Sequence, residues 1–122
     1  MFLQCALCIA SLTERADVSV TSCADAVDWN RPCTLTCSAF GGTPPDYTLQ
    51  WHFKEKFSDI FQVLTQPAAD NPSELQLQSL DPSDAGNYRC NVTNLGGVSH
   101  ADLDLHVNCQ YHYTIDSIKK AL

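Results

Sequence analysis

The sequence predicts an all-β fold, a sandwich of two antiparallel sheets. Apolar residues recur at every second position in several short segments, as along residues 33–37, which is the period of a strand with one buried face. Turn clusters such as residues 41–46 separate these segments, and no long segment has convincing helical periodicity. The spacing of Cys37, Trp51 and Cys90 favours a sandwich over a barrel.

The predicted strands follow one another from the N-terminus. Val18 and Val20 alternate with polar residues, which predicts an edge strand, and the polar residues 24–32 predict a loop. Residues 61–64 predict a short strand, and residues 94–97 predict a tight turn before the last strand. The apolar residues that mark the longer strands are Cys33, Leu35, Cys37, Leu49, Trp51, Phe53, Leu75, Leu77, Leu80, Tyr88, Cys90, Val92, Leu103, Leu105 and Val107.

Composition predicts a single domain and argues against one class of partner. The chain has 122 residues, of which 44% are hydrophobic, enough for one domain with its own core. Its net charge is −7, and an acidic surface repels the phosphate backbone, so nucleic acid is not predicted as a partner.

Seven cysteines in so short a chain indicate an oxidising compartment. The competing interpretation is a cytosolic metal or redox protein. Cys5 and Cys8 are the one closely spaced pair, however, and no second pair completes a zinc site. The sequence therefore predicts no metal and no cofactor, and an extracellular location, either secreted or as the ectodomain of a membrane protein.

The two ends of the chain lie outside the predicted domain, which covers residues 17–108. Residues 1–10 are mostly apolar, so residues 1–16 are either a signal peptide or a leading segment. Residues 109–122 form a tail or linker, with a short helix as the alternative. No segment approaches the ~20 apolar residues of a spanning helix, so no membrane contact is predicted.

A longer motif resembles a known family. Leu75, Leu77 and Leu80 lead into residues 84–90, which read Asp-Ala-Gly-Asn-Tyr-Arg-Cys. Together with Cys37 and Trp51, this pattern resembles the immunoglobulin superfamily over roughly residues 17–107. The short interval from Trp51 to Cys90 is similar to that of the intermediate set, with the constant-2 type as the nearest competitor.

The resemblance implies structural roles for the residues that carry it. It implies a Greek-key sandwich in which a disulfide joins Cys37 to Cys90 across the sheets, worth about 4 kcal/mol in the chain-entropy model. Trp51 should pack on that bond, with Leu77 in the core. The hydroxyl of Tyr88 should return to the backbone near Asp84.

Three cysteines are additional to the family pattern. Cys33 and Cys109 are implied to lie at the same end of the sandwich, so a second disulfide between them is the favoured prediction. Cys23–Cys33 and Cys23–Cys109 are the rival pairings, because sequence alone does not fix connectivity.

Residues 91–93, Asn-Val-Thr, form an N-glycosylation sequon. Asn91 alternates with the inward-facing Cys90, so it is predicted to face solvent. The similar residues 71–73 do not qualify, because Pro72 occupies the middle position after Asn71.

The predicted function is recognition of another protein, not catalysis. The sequence contains no nucleophile elbow, phosphate loop or metalloprotease motif. An immunoglobulin-like domain of this kind is expected to bind a protein ligand, or a copy of itself, in cell adhesion or within a receptor. An immune recognition module and a structural spacer of a matrix protein are the alternatives. The predicted contact residues lie in two loops at one end: Pro44, Pro45 and Tyr47 in the first, Asn94 and Leu95 in the second.

Overall fold

The computed structural model describes residues 13–108. Within these residues there are eight strands: β1 (Asp17–Thr21), β2 (Ala26–Asp28), β3 (Cys33–Phe40), β4 (Thr48–Glu55), β5 (Gln62–Val63), β6 (Ser73–Leu77), β7 (Gly86–Asn94) and β8 (Gly97–Asn108). One 3-10 turn, Pro82–Asp84, precedes β7. Within residues 13–108, no helix is long and apolar enough to cross a membrane.

The strands form two sheets, which confirms the predicted all-β sandwich. One sheet has the order β1-β3-β6, and the other has the order β2-β8-β7-β4-β5. Within the described residues the chain passes from one sheet to the other at five connections, β1–β2, β2–β3, β3–β4, β5–β6 and β6–β7, so most strands that follow one another in sequence lie on opposite sides of the core. β4, β7 and β8 form the longest antiparallel ladders and give the larger sheet its rigid centre.

One strand lies where the sequence predicts a loop. Residues 24–32 contain β2, which pairs in parallel with the end of β8, so the sandwich is not wholly antiparallel. Val27 is buried in the core, and the N–H of Trp29 donates to the carbonyl of Asn108 at 2.8 Å. A three-residue strand with a single buried side chain does not show a recognisable alternation, which is why the sequence pattern conceals it.

The core lies between the inward faces of the two sheets. Its fully buried side chains are Trp51, Leu35, Leu49, Leu80, Leu105, Val92, Cys37 and Cys90. Leu77 is only half-buried and packs against the margin of this core. Leu80, three residues further on, fills the interior instead.

Candidate recognition surface

A disulfide across the sandwich holds the two sheets together behind the candidate surface. Cys37 of β3 and Cys90 of β7 are bonded, with their Cα atoms 6.3 Å apart. Trp51 lies opposite Cys90 in the β4–β7 ladder and is 1% exposed. Its indole Nε1–H donates to the hydroxyl of Ser73 at 3.1 Å, which satisfies the one polar atom of a buried ring.

A tyrosine fixes the turn that enters β7. The hydroxyl of Tyr88 donates to the carbonyl of Asp84 at 2.6 Å. Burial, together with the nearby carboxylates of Asp84 and Asp81, raises the pKa of Tyr88 well above its ordinary value, so the donor stays protonated. Asp81 caps the 3-10 turn by accepting from the N–H of Ser83 at 2.7 Å.

The second disulfide differs from the favoured prediction. Cys33 is bonded to Cys23, with Cα atoms 5.5 Å apart, so the predicted pairing of Cys33 with Cys109 is wrong. Continuing the β1–β3 register beyond Thr21↔Thr36 brings Cys23 alongside the start of β3. The bond therefore forms where the chain leaves the smaller sheet to form β2. Cys109 lies outside the described residues.

The end of the sandwich that carries the two predicted contact loops is closed by the chain's own N-terminal approach. Glu14 and Thr43 exchange backbone hydrogen bonds of 2.9 Å and 3.0 Å. Ala16 is buried, although it precedes β1. Gly96 permits this close approach, because a Cβ there would lie 2.2 Å from the carbonyl carbon of Glu14.

Asn94 has a structural role and is not available as a contact residue. It is 8% exposed, and its Nδ2 donates to the carbonyls of Glu14 at 2.7 Å and Pro44 at 3.2 Å. The sequence prediction that Asn94 faces a partner is wrong, because its amide joins the N-terminal approach to the first contact loop. Its Oδ1 is buried and accepts no hydrogen bond from the described residues.

The other predicted contact residues divide into supporting and exposed ones. The hydroxyl of Tyr47 donates to the carbonyl of Gly41 at 2.5 Å, so this ring braces its own loop. Pro44 is half-buried. Pro45 is exposed, and Leu95 is 79% exposed. We call Pro45 and Leu95 the loop-end surface. Their apolar side chains are exposed to solvent, on loops that the hydrogen bonds of Tyr47 and Asn94 hold in place.

Replacing Asn94 by alanine should lower the free energy of unfolding by about 2 kcal/mol, because two carbonyls lose a donor in a partly buried site. Urea denaturation measures this loss. Leu95→Ala is the matched control, since a change at an exposed neighbour should stay within about 0.5 kcal/mol. Equal effects of the two substitutions would refute the structural role of Asn94.

The outward face of the larger sheet carries an ion pair on an aromatic ring. Arg89 donates from Nε and Nη2 to the two carboxylate oxygens of Asp102 at 2.8 Å and 2.9 Å. Its guanidinium also lies 4.2 Å from the ring centroid of Phe61. The hydrogen bonds from Arg89 hold the pKa of Asp102 below its ordinary value, partly opposed by burial.

This ion pair should make a small contribution to stability that depends on pH. A carboxylate with a lowered pKa stabilises the fold above its unfolded pKa of about 3.9, and the contribution is lost as pH falls through the lower folded value. Asp102→Asn should therefore cost no more than about 1 kcal/mol at neutral pH, because the pair is partly exposed. Thermal unfolding of both proteins should show the difference closing as the pH falls below the unfolded pKa of about 3.9. A difference that is unchanged across this range would contradict the assignment.

The β5 edge, which we define as Phe57, Ile60 and Val63, is exposed and apolar, and the sequence does not predict it as a contact surface. Phe57 is 94% exposed, Ile60 73% and Val63 59%. Sequence alternation could not reveal them, because they lie in an irregular connection and a two-residue strand. An open groove of about 380 Å³ borders the same end, between β4, β7 and β8.

Among residues 13–108, no cluster of three or more His, Cys, Asp or Glu side chains is arranged to hold a metal ion.

Comparison with known proteins establishes the class to which this fold belongs. Residues 17–94 match the family model described as immunoglobulin domain, and the chain belongs to this family. Immunoglobulin domains are in general not enzymes. The sandwich, the disulfide between Cys37 and Cys90 and the tyrosine at the entry to β7 are the structural counterparts of that match.

The particular relatives are large proteins. Hemicentin-1 from Homo sapiens is 35% identical over 104 residues, which is 80% of this chain and 2% of that protein. Hemicentin-1 from Mus musculus is 29% identical over 103 residues, with shares of 79% and 2%. The chain therefore spans a very small part of the relatives it matches. Among solved structures, the Dscam1 Ig7 domain, isoform 9, has the same fold, with a TM-score of 0.55 and 19% identity over 75% of this chain and 98% of that one.

Proposed function

We propose that this chain is an extracellular protein-recognition domain of the adhesion type, which contacts its partner through the loop-end surface. The single observation that carries the proposal is the contrast between two adjacent residues. Asn94 is buried and holds three chain segments together, while Leu95 is an apolar side chain exposed to 79%. An exposed apolar side chain on a loop that the scaffold holds rigidly is a favoured position for a protein contact.

The extracellular part of the proposal rests on the cysteines. Two disulfides lie among residues 13–108, and bonds of this kind persist in oxidising compartments. The acidic composition is compatible with a protein partner and unfavourable for nucleic acid. Membership of the immunoglobulin domain family supports recognition as the kind of work this fold does.

A second candidate function is that of a module within a longer array, which sets the spacing of other domains. The observation that favours it is the small share of Hemicentin-1 that the chain covers, 2% in both species. The two functions are compatible, because a module in an array can still present a contact surface. They differ in whether the isolated domain adheres to anything.

Bead adhesion tests the proposal directly. Beads coated with the oxidised domain are mixed with one another and with cultured animal cells, and attachment is counted at physiological salt. Attachment in at least one of the two mixtures is expected, with a loss of at least fivefold for Leu95→Asp. The substitution introduces a charge at an exposed position and should leave the fold intact, which circular dichroism verifies.

The β5 edge supplies the matched control for this experiment. Phe57 is also exposed and apolar but lies away from the loop-end surface, so Phe57→Asp should adhere as the parent does. Loss of attachment with Phe57→Asp alone would move the contact to the β5 edge. Absence of attachment in both mixtures would reject recognition by the isolated domain and favour the spacing role.

A further inference from the structure

We propose that Asn91 carries an N-linked glycan, which covers the centre of the outward face of the larger sheet. The proposal rests on the extracellular location proposed above, because the modification requires passage through the secretory pathway. It goes beyond that function by assigning a modification site and dividing the surface into a shielded and an open part.

The geometry of β7 places Asn91 and Thr93, the two essential residues of the sequon, on the solvent-facing side of the sheet. Asn91 and Thr93 lie in β7, the middle strand of the larger sheet, on either side of Val92. Val92 is fully buried, so the two flanking side chains share the outward face, as alternate residues of a strand do. Thr93 is exposed and Asn91 is half-buried, so the sequon lies at the protein surface.

A sugar can be attached to the amide nitrogen of Asn91 without leaving its neighbours unpaired. Nδ2 lies 3.1 Å from Nε2 of His52, and the same ring nitrogen lies 3.2 Å from Oε1 of Gln50. A neutral imidazole nitrogen either accepts or donates, so it satisfies one of these neighbours at a time. If a glycan displaces Asn91 from His52, the other tautomer can donate to Gln50. The remaining amide hydrogen of Asn91 is free to reach solvent or the sugar.

Asn71 is the contrasting case within the same chain. Its Nδ2 donates to the carbonyl of Ala39 at 2.8 Å, and its Oδ1 accepts from the N–H of Ala39 at 3.0 Å. Both ends of this amide therefore extend the backbone ladder at the end of β3. Pro72 also blocks its sequon. Of the two Asn-x-Ser/Thr triplets in the sequence, only the one at Asn91 has both an allowed middle residue and an amide free of backbone partners.

The consequence of the glycan concerns which surface a partner can reach. Asn91 lies between Gln50 on β4 and His100 on β8, where the two longest ladders of the sheet share β7. A branched sugar there keeps a protein partner from lying flat on this sheet. The loop-end surface and the β5 edge, which lie at its margins, remain open.

Mass measurement tests the assignment. The chain is produced behind a heterologous signal peptide in animal cells, and cell extract and medium are both examined, so that retained protein is counted. A mass excess that peptide-N-glycosidase F removes is expected for the parent and for Asn71→Gln. Asn91→Gln and Thr93→Ala should abolish it, and Thr93→Ser should retain it. No enzyme-sensitive mass, or one that persists in Asn91→Gln, overturns the proposal.

A footprinting experiment tests the shielding separately. His100 is the register partner of Asn91, whereas His106 lies six residues along the same strand, about 20 Å away, and both are exposed. Diethyl pyrocarbonate should modify His100 at least threefold more slowly in glycosylated than in enzyme-treated protein, with His106 unchanged. Equal rates at His100 would reject the shielding. Secreted protein without a glycan would reject this inference while leaving the adhesion proposal intact.

Discussion

Removing the disulfide between Cys37 and Cys90 by alanine substitution at both positions should lower the free energy of unfolding by about 4 kcal/mol. The bond closes a loop of 53 positions and joins β3 to β7 across the core, so it restricts the unfolded chain strongly. Both sulfur atoms are fully buried, and the space they vacate adds to the loss. Urea denaturation, with the slope checked against the parent, measures the effect.

The disulfide between Cys23 and Cys33 provides the matched comparison. It closes a loop of only 10 positions at the edge of the sandwich, so alanine at both positions should cost about 3 kcal/mol or less. The order of the two effects is the critical result. A larger loss from the edge disulfide would mean that loop closure does not govern the contribution of these bonds.

Replacing Trp51 by alanine should cost about 3–5 kcal/mol, the usual range for a buried large aromatic residue. The side chain is 1% exposed, faces Cys90 in the ladder and uses its indole N–H to bind Ser73. Its removal leaves a cavity between the sheets and an unpaired hydroxyl. The midpoint temperature of thermal unfolding should fall by more than about 10 °C for a domain of this size.

The second tryptophan of the chain is a control that distinguishes the effect of burial from the effect of removing a tryptophan. Trp29 is 37% exposed, and its hydrogen bond to the carbonyl of Asn108 is made by the backbone N–H, which alanine preserves. Trp29→Ala should therefore cost about 1 kcal/mol or less. Similar losses for the two tryptophans would contradict the placement of Trp51 at the centre of the core.

The sandwich could be predicted from the sequence because its signal repeats. Period-two alternation occurs in several strands, and Trp51 and Tyr88 have roles that depend on spacing within one motif. The alternation is readable because each of its residues is defined by near neighbours. The burial of Trp51 and the hydrogen bond from Tyr88 to Asp84 are expected from the resemblance to the immunoglobulin superfamily, whose motif sets the spacing of these residues.

The remaining features depend on partners far away in the sequence. Asn94 lies in a predicted turn, and only the approach of Glu14, 80 positions earlier, makes it a buried residue. β2 exists because it meets the end of β8, 80 positions later, whereas the pairing of Cys23 with Cys33 spans only 10 positions and is one of the three that the sequence leaves open. None of these long-range contacts has a local pattern by which the sequence could reveal it.

The hydrogen bonds among Glu14, Thr43 and Asn94 affect how a pulling force on the N-terminal end is transmitted to the domain. Asn94 ends β7, the strand that also holds Cys90, so a pull applied ahead of Thr13 reaches β7 through the amide of Asn94 as well as through β1. The force is thus divided between the two sheets before the edge strand β1 separates from β3. A force applied at this end therefore acts on a strand of each sheet.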